Sequence, residues 1–160
     1  MLMEAASAVQ TTALASALRA SLWVYPIVNA GHIVGLGLLV GAIVPLDLRL
    51  LGAWPTVPLA TLNRILLPIT LGGLALAAST GALLLSVRAS EYVLIPLFWI
   101  KLSLIVCALA NALLLRITLA WRAYRDSGLT GTTPRLQLAG ALSIGFWLAV
   151  IIAGRMIGYL

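Results

Sequence analysis

The chain has 160 residues, 62% of them hydrophobic and only 9% charged, with a formal net charge of +6. Its mean hydropathy is +1.13. A soluble domain carries about 25% charged residues, so this composition excludes a water-soluble fold and a separate soluble module. The basic excess lies on arginines that flank or join apolar runs, a pattern that meets headgroups and sets membrane orientation rather than binding nucleic acid.

Met1–Ala20 lacks the basic start of a cleaved signal, since its first charge is Glu4. It is rich in alanine, with Ser7, Gln10, Thr11 and Thr12 in the middle, and predicts one short helix at the surface or against the bundle. The next stretch is apolar from Leu22 to Leu46 apart from Asn29 and His32. A bilayer core needs about 20 apolar residues in helical form, so a first membrane helix is predicted over 22–46. Trp23 and Tyr25 suit an interface, and Pro45 predicts a kink or the exit, with Asp47 and Arg49 just outside. The linker LGAWPTVPLATLNR follows.

A second helix is predicted over 65–87, with Pro68 in its first turn, Gly72 and Gly73 on a slim face, and Ser79, Thr80 and Gly81 further on. The turn at Arg88–Glu91 is so short that the second and third helices should be antiparallel neighbours. The third, over 92–117, contains Lys101, Cys107 and Asn111. Cys107 is the only cysteine, which excludes an intramolecular disulfide; it reads as a small buried hydrophobe. The polar stretch WRAYRDSGLTGTTPR spans Trp121–Arg135, and a fourth helix is predicted over 136–158 with Gly140, Gly145, Trp147, Gly154, Arg155 and Gly158. The expected fold is therefore all-α and integral to the membrane. It is a single domain over 1–160, an up-down four-helix transmembrane bundle with a short N-terminal surface helix.

Orientation follows from counting. Arg49, Arg64, Arg116, Arg122, Arg125 and Arg135 share one side, against Arg19, Arg88 and Arg155 on the other. Six against three places the long loops in the cytoplasm and both termini outside.

Polar groups converge by depth. At 1.5 Å per residue, His32 lies about 15 Å and Lys101 about 13 Å from the outer face. Ser79 and Thr80 fall at about 10–12 Å, and Arg155 at about 5 Å. Asn29 is one turn from His32 on the same face. An ionisable group inside a span is costly and marks a functional candidate. Each also has a plainer reading: His32 bonded to a neighbouring carbonyl, Lys101 snorkelling to the interface, Arg155 as an anchor. The pairs Gly31/Gly35, Gly37/Gly41 and Gly154/Gly158 are GxxxG spacings, which serve helix packing or cofactor clearance.

The segments HIVGLGLLVGAIVPLDLRLLG and PLFWIKLSLIVCALANALLLR, with a GRxIGY-like end, give the chain a resemblance over Leu22–Tyr159. It resembles small bacterial membrane proteins that include copper-resistance-D-like proteins, the haem-binding four-helix protoporphyrinogen oxidase and an uncharacterised family, to which it is most similar. The resemblance implies a bacterial inner-membrane location, haem b as cofactor, His32 as haem ligand and Lys101 as a catalytic lysine. The chain departs from the oxidase pattern, which has a further histidine just past the first helix. One histidine per chain then requires a second protomer, Lys101 or Met156 to complete six-coordination.

Three functions stay open at this level. The first is a haem b-binding redox membrane protein, as an oxidoreductase or electron-transfer subunit. In it His32 is the axial and metal ligand, Gly31 and Gly35 clear the macrocycle, and Arg155 or Arg88 meets its propionates. The second is a non-catalytic subunit or scaffold that oligomerises through glycine faces, alone or in a larger membrane complex. The third is a small transporter of protons, anions or copper, lined by His32 and Lys101, with Asn29, Ser79 and Thr80 as further polar lining.

Overall fold

The computed structural model describes residues 1–118, 121 and 131–159. Its helices are α1 (Leu2–Gln10), α2 (Ala13–Ala20), α3 (Val24–Leu51), α4 (Leu59–Val87), α5 (Ala89–Tyr92), α6 (Pro96–Ile117) and α7 (Pro134–Ile157). Four of them, α3, α4, α6 and α7, are long and apolar enough to cross a membrane. Arg122, Arg125 and most of the polar stretch between α6 and α7 lie outside the described residues.

Residue contacts fix the helix directions. Along α3, Gly31 meets Thr80, Gly35 meets Ala77 and Leu39 meets Gly73, so α4 runs antiparallel to α3. Asp47 meets Gly140 across α3 and α7, and Lys101 meets Gly154 while Asn111 meets Ala139 across α6 and α7. The four long helices therefore alternate in direction. Both termini lie at one end of the bundle, the terminal end, and the long connections lie at the other, the loop end.

The packing is uneven. α3 pairs closely with α4, α6 pairs with α7, and α3 joins the two pairs through α7. α4 and α6 scarcely touch, although only α5 and a short turn separate them in sequence. This corrects the expectation that a short turn makes them packed neighbours. A short connection forces reversal of direction, but the tilt of each helix decides whether the pair closes. Only 6% of the most apolar window of α6 is buried within the described structure.

The distribution of polarity is the reverse of a soluble protein's. Ile33, Val34, Leu38, Val106, Leu113 and Ile152 face outward, while Asp47, Arg49, Thr70, Thr80, Ser86 and Ser143 are buried. Polar groups within spanning helices face the bundle interior, where partners satisfy them. Leu39, Ile43, Ala108, Trp147 and Val150 form a core layer at mid-bundle, and Leu46, Leu50, Leu59, Trp121 and Leu136 form another at the loop end.

Several boundaries move. α3 continues through Pro45 for six more residues and ends at Gly52, whose φ of 110° is left-handed. The amides of Gly52 and Ala53 turn back onto the carbonyls of Arg49 and Leu48, the two bonds of a Schellman cap. Asp47 and Arg49 thus lie in the helix and are buried, not waiting outside it. The Arg49 guanidinium donates to the Val57 carbonyl at 2.7 Å and to the Pro55 carbonyl at 3.3 Å, clasping the α3–α4 connection. Pro68 falls in the second half of the third turn of α4 because that helix starts at Leu59. Cys107 is exposed on the outer face of α6 rather than buried.

The N-terminal segment is two helices instead of one, because Thr12 breaks it and caps α2 by accepting from the Ala15 amide. Arg19 donates to the carbonyls of Val87 and Gln10, and the Gln10 side chain accepts from the Ser90 amide. These bonds tie α1 and α2 over the α4–α5 junction.

The α3–α4 crossing depends on absent side chains. A Cβ at Gly35 would lie 2.6 Å from the Ala77 nitrogen, and one at Gly73 would lie 2.5 Å from the Leu39 nitrogen. Gly37, Gly41, Gly72 and Gly145 meet nothing within 4 Å. Gly35→Ala or Gly73→Ala should therefore destabilise the protein by ~1–3 kcal/mol through overpacking, read as a lowered thermal midpoint in detergent. Gly72→Ala, where a Cβ meets nothing, should not lower the midpoint. Equal midpoints for all three would refute the crossing as drawn.

Candidate functional site

The site begins with His32, in the middle of the first half of α3. The close α3–α4 approach brings its Nδ1 to 2.9 Å from the Ala77 carbonyl and 3.2 Å from the Thr80 hydroxyl. A carbonyl only accepts, so Nδ1 carries the proton. Thr80 donates its own hydroxyl proton to the Leu76 carbonyl, so its oxygen also accepts from Nδ1–H. A neutral ring in this tautomer has a lone pair on Nε2, its remaining nitrogen. Gly81 makes room for the ring: a Cβ there would lie 3.0 Å from His32 Cε1.

Lys101 enters from α6. Its stem lies across Gly154 of α7, where a Cβ would approach Nζ to 3.1 Å and Cε to 3.4 Å. His32 and Lys101 both border two voids. The inner one, about 360 Å³, is walled by Leu36, Leu74, Phe98, Ile105, Trp147 and other apolar residues. The outer one, about 300 Å³, extends past Asn29, Tyr25 and Tyr92 toward the terminal end. His32, Gly81, Leu85, Phe98 and Lys101 line both, so they form the neck between them.

This cleft occupies the space that α4 and α6 leave by not packing together, and α3 and α7 close its back. The mid-bundle layer around Leu39 and Trp147 forms its floor. The hydroxyl of Tyr92, on α5, is pushed up from its ordinary pKa by burial and by neighbouring Tyr25. It therefore stays protonated at neutral pH and is available to donate into the outer void.

The predicted site residues separate into two groups. His32, Lys101, Thr80 and Asn29 come together around the cleft. Ser79 is exposed on the far face of α4 and bonds the Leu76 carbonyl. Arg155 is exposed, donates to the Tyr159 hydroxyl at 2.6 Å and lies over that ring. Arg88 is exposed and paired with Glu91. Neither arginine borders either void. Gly31 faces the Thr80 methyl and Gly35 faces the α4 backbone, so both serve the helix crossing and leave no clearance there for a flat ligand. Met156 is exposed and away from both voids. Among the described residues no group of three or more His, Cys, Asp and Glu gathers to hold a metal ion.

Sequence reasoning passed over Gly81 and Gly154 as site residues, although their spacing and position were visible. Gly154 reads as half of a GxxxG pair, yet it seats Lys101, while Gly158 caps α7. The Ala77 carbonyl had no signal, because a backbone acceptor carries no residue identity.

No family model, curated protein or solved structure matches this chain.

Because the chain has one histidine, its side-chain nitrogen spectrum reports this site alone. Nitrogen-15 NMR of histidine-labelled protein at neutral pH should show the Nδ1-protonated tautomer. A ring protonated on Nε2 only would contradict the hydrogen bond to Ala77.

Proposed function

We propose that this chain is a membrane redox protein that holds haem b in the α4–α6 cleft, with His32 Nε2 as an axial ligand. One observation carries the reading: the Nδ1–H bond to the Ala77 carbonyl orients the ring and leaves Nε2 as its free nitrogen at the neck of an apolar cleft. Metal-binding histidines characteristically donate their other nitrogen to a carbonyl or carboxylate, which fixes the ring and raises its basicity. The voids also fall in the size range of small-molecule and cofactor pockets. The donor set therefore fits the group on one side. Within the chain His32 would hold the metal, and a histidine from a second copy would supply a further nitrogen. When bound, haem supplies one-electron chemistry, tuned by its axial ligand and surroundings.

The chain's own residues have clear parts in this reading. Ala77 and Thr80 hold the imidazole, and Gly81 keeps its edge clear. Leu36, Leu74, Phe98 and Ile105 exclude water, while Asn29 and Tyr92 offer polar contacts toward the terminal end. The packed floor formed by Leu39, Ile43, Trp147 and Val150 favours binding over conduction of protons, anions or copper. The outward-facing Gly37 and Gly41 favour an additional helix against α3, from a second copy or a larger complex. The resemblance to haem-binding bacterial membrane proteins and the arginine bias point to the bacterial inner membrane, with the terminal end outside.

Protein purified from haem-replete cells should show a Soret band. His32→Ala should abolish it, and Lys101→Met should keep the band but alter its position. A wild-type protein without a Soret band overturns the haem reading.

Orientation is checked in a Cys107→Ser background. Leu94→Cys, at the terminal end, should react with an impermeant thiol reagent in intact cells. Thr56→Cys, at the loop end, should react only after permeabilisation. The opposite pattern reverses the topology.

A further inference from the structure

We propose that Lys101 anchors a carboxylate, and that the cleft takes an amphipathic carboxylic acid whose acid group meets the Lys101 amine while its apolar body fills the inner void. The proposal rests on the cleft being a ligand site, as above, but not on ligation by His32.

The first argument is charge. No aspartate or glutamate among the described residues lines either void, and Lys101 is the only lysine or arginine among them that does. Among the described residues it has no ion-pair or hydrogen-bond partner. The described acids are committed or distant: Glu91 pairs with Arg88, Glu4 pairs with the N-terminus, and Asp47 is buried at the loop end beside Ser143. An ammonium in low-dielectric surroundings needs a counter-charge. The described residues supply none at this position, so a bound anion is the group that completes it.

The second argument is competition for that anion. Arg19 is spent on two carbonyls, Arg88 on Glu91 and Arg155 on Tyr159. None of these borders the cleft, which leaves Lys101 as its one lysine or arginine among the described residues. The third is shape. Gly154 lets the lysine stem lie along α7 with Nζ at the neck. Beyond that neck the inner void is walled by aliphatic and aromatic residues, apart from His32 and Lys101 themselves. An anion with no apolar body would leave this space unfilled. α4 and α6 both line the inner void yet scarcely touch each other.

Two sources share this chemistry: a fatty acid of the bilayer and a propionate-bearing tetrapyrrole. Haem-free protein in neutral detergent is titrated by fluorescence with cis-parinaric acid and its methyl ester. A parallel titration uses metal-free protoporphyrin IX and its dimethyl ester, which offer no axial coordination. At least one acid should bind wild type about tenfold or more tightly than its ester, as befits a charge-assisted hydrogen bond. That preference should vanish in Lys101→Met and in Lys101→Gln, either of which serves if the other fails to fold. It should persist in Lys101→Arg.

A preference confined to parinaric acid assigns the site to a fatty acid, and one confined to the porphyrin assigns it to a tetrapyrrole. Equal binding of acid and ester by wild type for both pairs, or a preference that survives in both neutral variants, overturns the proposal. A missing Soret band with the acid preference intact would remove the haem reading alone.

Discussion

The backbone contact between α3 and α4 at Gly35 and Gly73 is the constraint on which the rest of the structure depends. Each glycine leaves less room than a methyl group needs, so the helices approach closely enough for a ring on α3 to reach a main-chain carbonyl on α4. In lipid, helices gain little from hydrophobic association, and close packing of small residues takes over that role. Moved apart by one methyl group, His32 would lose its bond to Ala77 and its fixed tautomer with it. The same contact commits α4 to α3, while α6 is committed to α7. The cleft is what remains between two pairs that each found their partner.

Polar groups in this chain do two different kinds of work. At the loop end, Arg49 clasps the carbonyls of the α3–α4 connection, Asn111 bonds the Ala139 carbonyl, and Asp47 lies beside Ser143. These groups stitch helix to helix and are enclosed by the second core layer. At the terminal end, the neck residues His32 and Lys101 border open volume instead. Hydrogen bonds to neighbouring elements mark Arg49 and Asn111 as structural, while His32 and Lys101 share two larger voids and form the candidate site.

The glycines show the same division. Gly35, Gly73 and Gly140 let backbones meet, Gly81 and Gly154 make room for the His32 and Lys101 side chains, and Gly37, Gly41, Gly72 and Gly145 touch nothing. All fourteen look alike in a sequence. The i, i+4 spacing of Gly31/Gly35 and of Gly37/Gly41 is identical, yet one pair faces α4 and the other faces outward. A glycine's role is defined by what occupies the place its side chain would have taken, and that place belongs to another helix.

Composition and periodicity alone determined that the chain is all-helical with four segments able to span a membrane. Apolar runs of bilayer length have few other solutions, since every backbone polar group must be satisfied within the segment. Depth along a helix was also legible, because rise per residue is constant; it brought His32, Lys101 and Thr80 to one level. Direction around the helix axis was not. It depends on which face each helix turns to its neighbours, and an error of a few residues in a boundary leaves the level intact while moving a side chain to another face. So Ser79 and Thr80, adjacent in sequence, end one exposed and one buried, and Arg155 turns outward although its depth suited the site. Only tertiary packing decided that α4 and α6 stand apart, and with that gap it created the cleft that gives His32 and Lys101 a common space.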